Sequence, residues 1–120
     1  MEPVLSVKQA QKIDAHFIAQ EPNSLSLMEK AGWALYLKIH QLFSDLNTSF
    51  LIVAGNGGNG GDAFVLARYL LDNHYQNVTV YQPKYSYLSS ENQVNQNRFK
   101  GRIVHQLENL SLKYDVFVDG

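Results

Sequence analysis

Apolar residues recur every third or fourth position up to Thr48, and after it they fall in short unbroken runs. Ala10, Ile13, Phe17 and Ile18 keep helical spacing behind Ser6-Val7-Lys8-Gln9, a capping box, and predict a helix from about Val7 to Gln20. Glu21-Pro22-Asn23 breaks it, because proline disfavours helical geometry in the residue before it. A second stripe follows in Leu27, Ala31, Leu35, Ile39, Leu42 and Leu46. Its predicted start is the capping box Ser26-Leu27-Met28-Glu29, with Ser24 a competing cap, and its predicted end lies near Asp45-Leu46-Asn47. Phe50–Ala54 is continuously apolar and ended by glycine, as in a strand buried on both faces of a parallel sheet. Ala63, Val65, Leu66, Leu70 and Leu71 predict a helix from Ala63 to Asn73. Val78–Tyr81 reads as a strand stopped by Pro83, and Tyr85–Ser90 as a polar, aromatic loop. Ser89 or Ser90 then caps a helix running to about Lys100, before strands at Arg102–His105 and Val116–Val118.

Strand, helix, strand, helix, strand behind two helices is the pattern of a doubly wound α/β fold with a parallel sheet. Such a sheet would end on a central or near-central strand with an open edge, so the chain reads as truncated. A hydrophobic content of 45% over 120 residues suits one small domain. The net charge of −1 gives no electrostatic footprint for nucleic acid or an acidic membrane. With no cysteine, disulfides and thiolate zinc sites are out of reach, and a reducing compartment fits. The N-terminus lacks the basic and apolar regions of a signal peptide, and no apolar run is long enough to span a bilayer. A cytoplasmic location is the expectation.

The candidate chemistry lies between the first strand and its helix. Gly55-Asn56-Gly57-Gly58-Asn59-Gly60-Gly61-Asp62 carries five glycines in seven positions, a backbone free to use positive φ and to approach a ligand closely. The helix behind it aims backbone N–H groups at one point, where an anion or polar ligand can sit. Gly55-x-Gly57-x-x-Gly60 formally matches a dinucleotide fingerprint, but the acid expected about 20 residues on is missing from Val80-Tyr81-Gln82-Pro83. A P-loop is excluded, since no Gly-Lys-Ser/Thr follows. Asp62, taken alone, reads as an N-cap, and Asn56 and Asn59 as turn residues. Together with Asp119, at the carboxyl end of a neighbouring strand, these oxygens also suit a hard cation.

Asp14, Pro22, Leu27-Met28-Glu29-Lys30-Ala31-Gly32, the glycine loop through Asp62, and Val116-Phe117-Val118-Asp119-Gly120 resemble, in order and spacing, the YjeF N-terminal domain family, the NAD(P)H-hydrate epimerases. The resemblance covers the whole chain. It implies a three-layer α/β/α Rossmann-like fold, dimeric, that interconverts the R and S forms of hydrated NADH and NADPH beside a potassium ion. By the same match Gly58, Asn59, Gly60, Gly61 and Asp62 contact the substrate, and Asn59 and Asp119 hold potassium. In bacteria the domain is commonly fused to an ADP- or ATP-dependent dehydratase. Ala63 stands where the family usually has glycine. The glycine-rich segment expected after Asp119, and a later Asp-x-Pro-Ser-Gly-like motif, are not in this sequence, so residues 1–120 are expected to be a domain incomplete at its C-terminus.

Epimerisation needs proton delivery and removal at oxygen, work for a carboxyl group. Asp119 is the expected acid/base or its positioner, with a purely metal-binding role as the competing assignment. Two other functions stay open: a catalytically silent dimerisation or protein-binding module on the same fold, and an ordinary NAD-dependent dehydrogenase. The remaining residues have structural readings. His16, His40, His74 and His105 are scattered, and no Gly-x-Ser-x-Gly elbow exists. Arg98, Lys100 and Arg102 are expected to complement a helix C-terminus. Trp33 is expected to pack between helix and sheet, Glu29 to complete its capping box, and Tyr81, Tyr85 and Tyr87 could flank a nicotinamide or adenine ring.

Overall fold

The computed structural model describes residues 4–6, 24–110 and 113–120; the helix predicted over residues 7–20 lies outside them. The elements are β1 (Val4–Ser6), α1 (Ser24–Leu42), β2 (Ser49–Val53), α2 (Gly58–Asp72), β3 (Asn77–Tyr81), α3 (Ser90–Arg98), β4 (Arg102–Val104), a 3₁₀ turn at Leu107–Asn109, and β5 (Val116–Asp119). All strand pairs are parallel, in the order β1-β5-β2-β3-β4. This is the α/β class that the alternation of strand and helix predicts.

Register sets the core. Phe50, Val78 and Val116 align across the sheet, as do Ile52, Val80 and Val118. Alternation puts these six side chains on one face. There they pack with Phe64, Ala67 and Leu70 of α2 and Leu35, Tyr36 and Ile39 of α1 in one buried cluster. Leu51 and Thr79 point the other way and are also buried, which is why β2 reads as an unbroken apolar run.

Several boundaries differ from the sequence pattern. α1 starts at Ser24, which places Ser26 and Glu29 inside the helix rather than at a capping box. It stops at Leu42, short of Leu46, because Asp45 forms a local turn, its carboxylate accepting from Asn47 N–H at 2.9 Å and its carbonyl from Thr48 N–H at 3.0 Å. The edge expected beyond β5 is occupied by Val4–Ser6, three residues too short to show a period of their own. α2 begins five residues before the predicted Ala63. α3 starts as predicted behind Ser89, whose Oγ accepts from Asn92 N–H at 3.2 Å. At the end of α2, His74 takes the left-handed conformation (φ 75°). Its N–H donates to Leu71 O at 3.1 Å and that of Tyr75 to Leu70 O at 3.0 Å, a Schellman closure.

Candidate functional site at the glycine-rich helix start

The strand order reverses at β2. The chain runs from β2 to β3 and β4 on one side and returns to β5 on the other, so the crevice of an open α/β sheet falls at the carboxyl ends of β2 and β5. The glycine loop and Asp119 both lie there. Val53 is in register with Asp119, Gly120 N–H donates to Val53 O at 2.7 Å, and Gly55 N–H donates to Gly120 O at 2.9 Å. Asp119 is exposed at this rim.

The glycines serve closeness rather than unusual torsion. Among the described residues no glycine has a positive φ. A Cβ on Gly60 would stand 2.1 Å from Gly55 O and 2.5 Å from Asn92 Nδ2, and one on Gly61 would stand 3.0 Å from Met28 Sδ. At Gly60 only bare backbone fits, and at Gly61 a Cβ would press on Met28. Gly58 and Asn59 are its first two residues, and Gly57 is the N-cap, with extended torsions (φ −105°, ψ −154°) and no side-chain cap. Asp62 is therefore not the N-cap that its residue type suggests. It is buried in the second turn, beside buried Gly60 and Gly61.

Two buried amides that sequence reasoning missed hold the loop. Asn92, fully buried in α3, donates from Nδ2 to Gly55 O at 2.8 Å and Gly57 O at 3.0 Å. Gln82, after β3, donates from Nε2 to Asn92 Oδ1 at 3.2 Å. Ser89 N–H donates to Asn56 O at 3.0 Å, which brings the loop carrying Tyr85 and Tyr87 up to the glycine loop; both tyrosines are exposed. The available signal was faint: α3 has no apolar stripe, so its inward face at positions 92 and 95 had to be polar and paired.

The Leu27–Gly32 block proves to be the surface of α1 that fixes α2. Met28 lies against Gly61 and 3.3 Å from Asn95 Nδ2. A Cβ on Gly32 would meet Val65 Cγ1 at 2.2 Å, so glycine sets how closely α1 and α2 pack. Glu29 joins three helices: it binds Arg68 directly, accepts from Tyr69 Oη at 2.6 Å, and lies 3.5 Å from Arg98 Nη1. Burial pushes the Glu29 carboxyl up, but hydrogen bonds from Tyr69 and Arg68 and the charges of Arg68 and Arg98 outweigh it and hold it below the usual range. Arg98 is the basic residue of the last turn of α3, as expected, and also reaches Glu29; Lys100 complements the same end, donating to Asn97 O at 2.8 Å, whereas Arg102 donates to Asn109 O. Trp33 is 42% exposed rather than enclosed between helix and sheet, stacked on Tyr36 and edge-on to Tyr69.

Comparison with known proteins accords with this architecture. The family described as YjeF-related protein N-terminus matches residues 24–120. An NAD(P)H-hydrate epimerase of Aspergillus fumigatus is 34% identical over 119 residues, 92% of this chain and 44% of that protein. One from Entamoeba histolytica is 39% identical over 85 residues, 68% of this chain and 38% of that protein. The crystal structure of yeast ynu0 superposes with a TM-score of 0.63 at 28% identity, over 88% of this chain and 48% of that one. The chain belongs to the YjeF-related N-terminal family. It spans less than half the length of these relatives.

Proposed function

We propose that this rim binds hydrated NADH or NADPH and interconverts the R and S forms, as a nicotinamide-cofactor repair epimerase. The observation that carries the reading is the join at the switch point: the glycine loop and the exposed Asp119 share one rim, tied by the Gly55–Gly120 hydrogen bond. The names of the relatives give the substrate class. Relatives named bifunctional NAD(P)H-hydrate repair enzymes support a bifunctional parent protein, and a dehydratase as its second activity rests on the family resemblance. A homodimer belongs to the same proposal and rests on the family resemblance, and a cytoplasmic location rests on the cysteine-free composition.

The hydrated carbon bears a ring nitrogen and a hydroxyl. Inversion requires the hydroxyl to leave and water to return on the opposite face, or the ring to open and reclose; both routes move a proton onto and off oxygen. Asp119 carries that proton or positions the group that does, while Gly58, Asn59, Gly60, Gly61 and Asp62 hold the substrate in place. Carboxylate and amide oxygens are the donors a hard cation takes, and Asp119 presents its carboxylate at the rim, so Asn59 and Asp119 would hold potassium. When bound, the ion would supply a fixed positive charge beside the substrate.

The test follows the two epimers of hydrated NADPH by chromatography, in potassium and in sodium, with wild type and Asp119→Asn. Interconversion that depends on potassium and collapses in Asp119→Asn supports the proposal. Unchanged interconversion in that variant removes Asp119 from both roles. A wild type that neither binds nor converts the hydrate supports the silent-module reading instead.

A further inference from the structure

We propose that Asn92 is a positioning residue, the group that turns the peptides of the glycine loop so that their N–H groups face the ligand. The inference rests on reading this loop as the binding site. A trans peptide carries its C=O and the following N–H on opposite sides. Three successive carbonyls of the loop are tied to the start of α3: Gly55 O and Gly57 O to Asn92 Nδ2, and Asn56 O to Ser89 N–H. The N–H groups of Asn56, Gly57 and Gly58 are thereby turned away from α3. Gly58 opens α2, where position alone leaves the N–H without an intrahelical partner. Three N–H groups turned the same way at a helix start form a concave donor cluster, suited to an anionic or strongly polar oxygen such as a diphosphate or carboxamide offers.

Asn92 is specified for this task in both of its polar groups. Its amide nitrogen has two hydrogens, and each is used on one loop carbonyl. Its oxygen is held by Gln82 Nε2, so the amide cannot exchange its two ends without facing oxygen with oxygen. Both residues are buried, where such a mismatch is costly. No contact between Asn92 and a ligand is invoked; it acts through the loop.

A merely structural Asn92 would affect stability and leave the folded protein's affinity alone. Asn92→Asp preserves shape, removes both donors, and sets a carboxylate against two carbonyl oxygens. We expect that at pH 8 the folded variant of the 120-residue chain shows displaced backbone amide resonances at Asn56, Gly57 and Gly58. Its affinity for hydrated NADPH, measured by calorimetry, should fall about tenfold or more. Lowering the pH protonates the new carboxyl and restores one donor, so the variant's affinity should partly recover relative to wild type at the same pH. A folded variant with wild-type affinity, or with unmoved resonances at 56–58, overturns the proposal. If Asn92→Asp does not fold, Gln82→Met decides. It keeps Asn92 but frees its amide, and should displace the same resonances and weaken binding about threefold; no change in either overturns the proposal. If wild type itself does not bind hydrated NADPH, the epimerase reading fails, and affinity for inorganic diphosphate then judges Asn92: weaker binding by the folded variant upholds its role, and unchanged binding refutes it.

Discussion

Replacing Gly60 by alanine sets two physical effects against each other with opposite signs. Gly60 lies in the first turn of α2, and on helix propensity alone the change should stabilise by about 1 kcal/mol. The tertiary surroundings say the reverse. The new methyl would stand 2.1 Å from Gly55 O, about 1.2 Å inside an ordinary carbon–oxygen contact of ~3.3 Å. The obstacle is backbone, and its carbonyl is held by Asn92 and Gln82, so it cannot rotate away without breaking those bonds. Overpacking costs about 1–3 kcal/mol, and losing the Asn92 and Gln82 hydrogen bonds to Gly55 O adds roughly 1 kcal/mol each. Set against the propensity gain, the net is a loss of about 2–4 kcal/mol. For a domain of this size 1 kcal/mol moves the midpoint by about 4 °C, so Gly60→Ala should lower Tm by about 8–16 °C. Gly57→Ala is the matched control. Its Cβ meets nothing within 4 Å and its φ is ordinary, so it should cost under about 1 kcal/mol, the difference between glycine and alanine at an N-cap. Thermal unfolding by circular dichroism reads both variants. A Gly60→Ala midpoint at or above that of Gly57→Ala would refute the steric account of the glycine run.

Glu29→Gln keeps the shape of the three-helix junction and removes its charge; it should destabilise by about 1–2 kcal/mol, between an exposed pair and a buried one. Because the folded-state pKa of Glu29 is depressed, its contribution is full above the ordinary glutamate value of about 4.3 and disappears as pH falls through the lower folded value. Denaturation midpoints of wild type and variant should therefore converge below pH 4, and a constant gap down to pH 2 would contradict the assignment. His74→Gly should raise stability by about 0.5–1 kcal/mol, since His74 holds a positive φ that glycine adopts without strain, less the entropy of a freer unfolded chain. A lowered Tm in that variant would mean that the His74 side chain contributes more than its backbone strain costs.

What the linear pattern determined by itself is the order and type of elements between Ser24 and Gly120. The unbroken apolar run Phe50–Ala54 and the β-branched stretch Val78–Tyr81 suit buried parallel strands, and Ser89 announced its helix through local capping chemistry. The glycine loop and Asp119 could be assigned to strand ends for the same reason: period and punctuation are local properties. The tertiary structure alone decided where α2 begins, because glycine's poor helix propensity is outweighed by the closeness of Gly55 O and Met28. It likewise decided that Glu29 binds Arg68 rather than capping its own helix, and that Asn92 reaches back to Gly55 and Gly57. Apart from the approach of Gly60 to Gly55 O, each of these contacts joins residues more than thirty positions apart, and a period of 2 or 3.6 residues reports which face a side chain occupies but not which distant backbone meets it there.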